Sequence, residues 1–169
     1  MKISYKHLSS FLNDKPTIKE VSDKLFQLGH EHEILGDIFD IEFTPNRGDC
    51  LSLLGLSRDL NVFFDNNNEI EIYDNNIPEL EIEFINNAKD SCPEISFMML
   101  EVGKEISNYK KYLEDFFNDL KINKNNFFTD ISNYLSYEIG QPTHCYDFEK
   151  IKGNFVLEET NKEKSFKTL

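Results

Sequence analysis

The stretch "GQPTHC", residues 140–145, sets a histidine on a turn fixed by Gly140 and Pro142. An imidazole changes charge near neutral pH, so His144 there could orient a water or pass a proton. Asn133 stands shortly before this loop and could face the same pocket. Cys145 is adjacent to His144, but neighbouring residues rarely point at one another, which argues against a Cys–His nucleophile pair. Taken alone, a loop histidine of this kind reads first as structural and second as catalytic.

Lysine and arginine total 18, yet Arg47 and Arg58 are the only arginines, and both fall within "TPNRGDCLSLLGLSRDL", residues 44–60. A guanidinium offers a planar fork of donors and a charge that does not titrate, neither of which lysine can copy. Asn46 precedes Arg47 in a turn, and Asp49 follows at the head of the next apolar run. The expectation is a structural corner, with Arg47 and Arg58 each bonding a carboxylate or an orphan carbonyl where a strand turns into a helix. His30 and His32 alternate within "HEHE". On one face of a strand they could hold a metal, but no third ligand stands nearby in sequence. The expectation is two exposed strand histidines and no metal.

The elements that must position these residues follow from periodicity. "KISYKHLSSFL" reads as a short strand running into a helix. "KPTIKEVSDKLFQLG" reads as a helix with a Thr17/Glu20 capping box, an inner face of Ile18, Val21, Leu25 and Leu28, and a stop at Gly29. "HEHEIL" and "DIFDIEFT" are strands joined by a tight turn at Gly36. Asp49 is placed to cap a helix from about Cys50 to Phe64, with Leu53, Leu56, Leu60 and Phe63 inward. The Asn/Asp-rich run near residues 65–80 marks a linker. Beyond it, "ELEIEFI" and the more apolar "EISFMMLEVG" read as strands. "NYKKYLEDFFNDL" and "TDISNYLSYEIG" read as helices, "QPTHCYD" as a loop and "NFVLEE" as a strand. The fold class is α+β, mixed and antiparallel strands with packed helices, in two small modules at residues 1–72 and 73–169.

Composition narrows the function classes. A length of 169 residues suits one ordinary domain or two small ones, and a formal net charge of −13 disfavours gripping a phosphate backbone. The odd set Cys50, Cys92 and Cys145, with no CxxC and no secretory leader, suits reduced thiols in a cytoplasmic protein. No apolar run approaches membrane-spanning length.

Together these pieces resemble one family. "TPNRGDCLSLLGLSRDL" is similar to the "TPNR-x-DCL-x-x-x-G-x-x-R-(D/E)" signature of the bacterial phenylalanyl-tRNA synthetase beta subunit. "DISNYLSYEIGQPTHCYDFEKIKGNFVL" resembles that subunit's "D-V-T-N-Y-V-x-x-E-x-G-Q-P-x-H-A-F-D-x-x-x-I-x-G" segment, and the opening "MKISYKHLSSFL" also fits. The resemblance covers essentially the whole chain, with two departures. "LGHEHEILGDIFDIEF" passes straight through where the family carries an OB-fold tRNA-binding module, and the chain ends at Leu169, early in the family's editing region.

The resemblance implies an N-terminal part of a beta subunit: residues 1–72 as the module with the TPNR motif, and residues 73–169 as the first part of the editing-type (B3/B4-like) module. In the parent enzyme it implies a two-alpha, two-beta assembly that binds tRNA(Phe), with ATP and Mg²⁺ used by the alpha subunit. The editing reaction removes tyrosine wrongly attached to that tRNA, because an apolar pocket cannot strongly reject one extra hydroxyl. His144 and Asn133 match two residues of the family's editing pocket. The pattern's upstream Arg has no counterpart in "KINKNNFFTDISNY", where Lys121 and Lys124 are the nearby cations. Asn46, Arg47, Asp49 and Arg58 match the structural signature. The chain on its own is expected to be inactive, with no cofactor, weak or no nucleic-acid binding and no membrane partner. The alternative is a stand-alone, non-catalytic interaction or scaffold protein that kept the fold.

Overall fold

Extended and helical segments alternate from the first residues of the chain. The computed structural model describes residues 1–64, 78–103 and 108–165. β1 (Lys2–Ser4) runs directly into α1 (Tyr5–Ser9), and α2 follows at Ile18–Gln27. The Thr17/Glu20 capping box is formed: the Thr17 side chain accepts from the Glu20 N–H, and the Glu20 carboxylate accepts from the Thr17 N–H at 2.7 Å. That exchange satisfies two of the donors that a helix start leaves bare. β2 (Glu31–Leu35) and β3 (Ile38–Glu42) form a hairpin around Gly36, which takes a positive φ of 65°. β3 is the central strand of an antiparallel sheet in the order β1-β3-β2, with Ile3 opposite Phe39 and Ile34 also opposite Phe39.

Contacts divide the chain into two units. The first joins Met1–Glu71 to Ile106–Cys145, and the second joins Ile72–Glu105 to Tyr146–Leu169. The architecture is α+β. In the first unit, Ile3, Phe39 and Ile41 of the sheet pack with Leu8, Val21, Leu25, Leu53, Leu56 and Leu60 in one buried cluster. Burying each such side chain stabilises by roughly 1.5–3 kcal/mol. The three leucines come from α3 (Leu53–Leu60). Phe63, expected inward with them, is half-exposed, and Phe64 is buried in its place. The helix stops at Leu60, so the stripe does not extend to residue 63 at helical spacing.

The start of α3 also departs from expectation. Gly48–Cys50 forms a short 3-10 turn, and Ser52, not Asp49, caps the helix by accepting the Gly55 N–H at 2.9 Å. Asp49 is unavailable because two guanidinium groups hold its carboxylate. Later in the same unit come α4 (Lys111–Leu120) and α5 (Phe127–Ile139), with Leu113, Phe116, Phe117 and Tyr134 packed between them. This pair is fastened to the strand-helix opening of the chain. The Ser4 N–H donates to the Tyr137 hydroxyl at 3.2 Å, the Ser4 hydroxyl donates to Asp119 at 2.9 Å, and His7 Nε2 donates to the Tyr112 carbonyl at 3.0 Å.

The second unit has β4 (Phe84–Asn86) pairing in parallel with β5 (Phe155–Leu157), flanked by an aromatic group of Phe84, Phe97, Tyr146 and Phe155. "ELEIEFI" yields only the short β4 among the described residues. "EISFMMLEVG" forms no strand, and Met98 is 71% exposed with Met99 and Leu100 alongside it. An alternating pattern becomes a strand only when another backbone pairs with it. Among the described residues this segment has no such partner. The expected linker lies largely on residues 65–77, outside the described residues.

Candidate functional site

The corner after β3 is built by local turns. The Arg47 N–H donates to the Thr44 carbonyl at 2.9 Å, the Cys50 N–H to the Arg47 carbonyl at 3.0 Å, and the Leu51 N–H to the Gly48 carbonyl at 3.2 Å. The 3-10 turn passes so close to α3 that a Cβ on Gly55 would lie 1.9 Å from the Asp49 carbonyl oxygen, a gap only glycine can occupy. Asn46 sits exposed at the tip of the preceding turn.

Four charges interlock on this scaffold. Arg47 donates from Nε to Asp49 at 3.1 Å, from Nη2 to Asp49 at 3.2 Å, and from the same Nη2 to Asp59 Oδ2 and to Cys50 Sγ, the last at 2.8 Å. Arg58 donates to Asp49 and, at 3.0 Å, to Asp59 Oδ1. The hydrogen bonds from Arg47 and then Arg58 hold the Asp49 carboxyl well below the usual carboxylate range. Burial by itself would raise Asp59, but the bonds from Arg47, Arg58 and Cys50 outweigh it and leave that carboxyl lowered.

His30 completes the group from the start of β2. It is buried, not exposed: its ring stands edge-on to Phe43 at 5.0 Å, and its Nε2 lies 3.7 Å from Asp59 Oδ2. Burial, reinforced by the Arg47 charge, lowers its pKa and keeps the ring neutral. Burial likewise pushes the Cys50 thiol up to about 12, so it is no nucleophile near neutral pH. His32 is committed elsewhere, with Nε2 2.8 Å from the Ser22 hydroxyl and Nδ1 3.0 Å from the His30 carbonyl. The paired-histidine metal site is therefore not formed. Sequence reading missed that His30 reaches Cys50 and Asp59, because no spacing rule connects three elements so far apart in the chain.

The second candidate region is the loop after α5. Gly140 ends that helix with φ 76°, and a Cβ there would lie 3.1 Å from Ser52 Cβ. The glycine of one sequence motif thus rests on the capping serine of the other. The Ser132 hydroxyl donates to the Thr143 carbonyl and lies 2.9 Å from the Thr143 hydroxyl, strapping the loop back along α5. Asn133 and His144 each adjoin one member of that strap, and both are exposed. Lys124 is bound to Glu114 and sits over the Tyr109 ring at 5.0 Å, whereas Lys121 is exposed at the left-handed end of α4. A separate cavity of about 430 Å³ lies among α1, α4 and α5, with His7, Phe11, Tyr112, Tyr134 and Glu138 in its wall. Neither Asn133 nor His144 lines it. No helix of the described residues is long and apolar enough to cross a membrane.

Comparison with known proteins gives these motifs a context. Residues 91–169 match the B3/4 domain family. The phenylalanine–tRNA ligase beta subunit of Psychrobacter arcticus is 30% identical over 77% of this chain and 16% of its own length. That of Rhodopirellula baltica is 27% identical over 97% of this chain and 25% of its own, and that of Rickettsia bellii is 32% identical over 72% and 14%. This chain thus spans a quarter or less of the length of these curated relatives, and over most of its residues it is homologous to phenylalanine–tRNA ligase beta subunits.

Proposed function

We propose that this chain works as part of the beta subunit of a phenylalanine–tRNA ligase. The observation that carries the reading is the similarity to such subunits along 72–97% of the chain. The packing of Gly140 against Ser52 supports it, because it joins the two motifs in one structural unit. In this reading Asn46, Arg47, Asp49 and Arg58 stiffen the strand-helix corner and take no part in chemistry. The alpha subunit is the partner that handles ATP and Mg²⁺, and tRNA(Phe) is the shared substrate. A charge of −13 leaves this segment a weak contributor to tRNA binding.

Within the assembled enzyme, His144 and Asn133 are the candidates for editing. Hydrolysis of Tyr-tRNA needs a water oriented toward the ester carbonyl carbon. The ester C–O bond then breaks, and the tRNA hydroxyl leaves with a proton. His144 would hold and deprotonate that water, and Asn133 would donate to the carbonyl oxygen. Lys121 and Lys124 are the cations that precede Asn133 in the sequence, and neither has the two-pronged grip of an arginine. The isolated chain is expected to release no tyrosine above background.

The test is co-purification of the whole beta subunit with its alpha partner, followed by Phe-tRNA charging and by Tyr-tRNA deacylation with and without His144→Ala. Association, charging and a slowed deacylation in the variant support the reading. Equal deacylation rates would leave His144 a loop residue. Failure to associate with an alpha subunit would favour the stand-alone interaction protein.

A further inference from the structure

We propose that His30, Cys50 and Asp59 form a binding site for a soft divalent cation of the Zn²⁺ type, held open by a guanidinium that the metal displaces. The inference is independent of the proposed function. Its geometry is specific. Zinc binds nitrogen, oxygen and sulfur donors at about 2.0–2.3 Å, so tetrahedral ligand atoms stand roughly 3.3–3.6 Å apart. Cys50 Sγ lies 3.5 Å from Asp59 Oδ2, and His30 Nε2 lies 3.7 Å from the same oxygen. All three ligand atoms fall within 4.8 Å of one another. One thiol, one imidazole and a single carboxylate oxygen favour a zinc-like ion over Mg²⁺ or Ca²⁺, which prefer several oxygens.

A second observation points the same way. His30 is 2% exposed, and its Nε2 has no hydrogen-bond partner among the described residues, although it is aimed at Asp59 and Cys50. A buried ring nitrogen without a partner is costly unless something binds it. The other two ligand atoms already meet a cation, since Arg47 Nη2 donates to both Cys50 Sγ and Asp59 Oδ2.

Displacing Arg47 is feasible because it keeps a partner: Nε and Nη2 also reach Asp49, at 3.1 and 3.2 Å. Asp59 stays anchored through Oδ1, which accepts from Arg58 at 3.0 Å, so Oδ2 can turn to the metal. On binding, Cys50 gives its proton to solvent and forms the metal–sulfur bond, and His30 supplies the Nε2 lone pair with its ring proton on Nδ1. Solvent water supplies the fourth ligand.

Titration of the whole chain with Co²⁺, in a reductant that does not bind metal, tests this. The expected result is one equivalent bound with the visible bands of a tetrahedral site and a thiolate charge-transfer band, both lost when Zn²⁺ is added. Cys50→Ser should abolish the charge-transfer band, and His30→Gln, which removes a ligand, should weaken binding by at least the roughly ten- to a hundredfold that loss of an outer-shell partner costs. Cys92→Ser and Cys145→Ser should leave the spectrum unchanged. Arg47→Gln should bind more tightly than the natural chain, a gain that loss of a structural contact cannot produce. The proposal is overturned if neither the natural chain nor Arg47→Gln shows a thiolate band, or if Cys50→Ser, shown folded by circular dichroism, retains it.

Discussion

Gly140 lies against Ser52, with a hypothetical Cβ at residue 140 standing 3.1 Å from the serine Cβ. The residue that ends α5 therefore touches the residue that starts α3. Gly140→Ala should meet two penalties: a left-handed φ of 76°, costing about 1–2 kcal/mol, and a tight approach that forces Ser52 to give by a few tenths of an ångström. Gly36 shares the left-handed backbone, with φ 65°, but has open space around it. Urea melts should show Gly36→Ala paying only the backbone penalty and Gly140→Ala clearly more. Equal losses would show that the joint between the two helix ends yields freely.

Gly55 sits inside α3, where alanine ordinarily stabilises a helix by up to about 1 kcal/mol over glycine. Here the expected sign is reversed. A methyl group 1.9 Å from the Asp49 carbonyl must push the 3-10 turn away, at a cost of about 1–3 kcal/mol. Chemical denaturation of Gly55→Ala reads it directly, and a stabilised variant would disprove the close approach.

Arg58 and Asp59, partners in one ion pair, differ in their surroundings. Arg58 is 57% exposed, so Arg58→Ala should cost less than about 1 kcal/mol, and the loss should shrink further in high salt. Asp59 is 14% exposed and holds Arg47, Arg58 and Cys50 together, so Asp59→Ala should cost about 1–3 kcal/mol. Matched melts at low and high ionic strength should separate the two. A larger loss for Arg58→Ala than for Asp59→Ala would reverse this assignment.

Tyr137 accepts the buried Ser4 N–H, so Tyr137→Phe should leave that donor unpaired and cost about 1–3 kcal/mol. Burial also pushes the Tyr137 phenol up to about 12. The unfolded phenol ionises near pH 10, so the folded state holds an extra proton between about pH 10 and pH 12. Stability from this group is complete below pH 10 and falls as pH rises toward 12. Melting temperatures across that window should drop more steeply for the natural chain than for Tyr137→Phe, and parallel curves would contradict the assignment.

Much of the fold was legible where the cause is local. The Thr17/Glu20 exchange, the turn at Gly36 and the stop at Gly140 each depend on a few neighbouring residues, and each forms. The start of α3 was not legible, because Asp49 and Ser52 are both good caps by type. The choice fell to Ser52 once Arg47 and Arg58, from the turn before and the helix after, took the Asp49 carboxylate. His30 shows the same limit. An alternating "HEHE" suggests an exposed strand, but Phe43 and Asp59 enclose the first histidine from other elements. The strand expected over Met98–Leu100 failed because alternation describes a face and cannot supply a neighbouring backbone. For the candidate site, Gly140 and Pro142 announced the loop that carries His144. The Ser132–Thr143 strap that fixes that loop joins two ordinary hydroxyl residues and has no sequence signature.

The first unit is discontinuous in sequence, since Met1–Glu71 is completed by Ile106–Cys145 after the chain has traversed Ile72–Glu105. During synthesis on a ribosome, the sheet and α1–α3 emerge first, with the surface that receives α4 and α5 still bare. That surface stays uncovered until residue 145 has cleared the exit tunnel, some seconds later at about 5–20 residues per second. Docking must also close a loop across the intervening segment, which slows folding relative to a unit built from adjacent elements. Ser4 and His7, which receive those late helices, are thus the positions where a chaperone has the longest opportunity to bind the nascent chain.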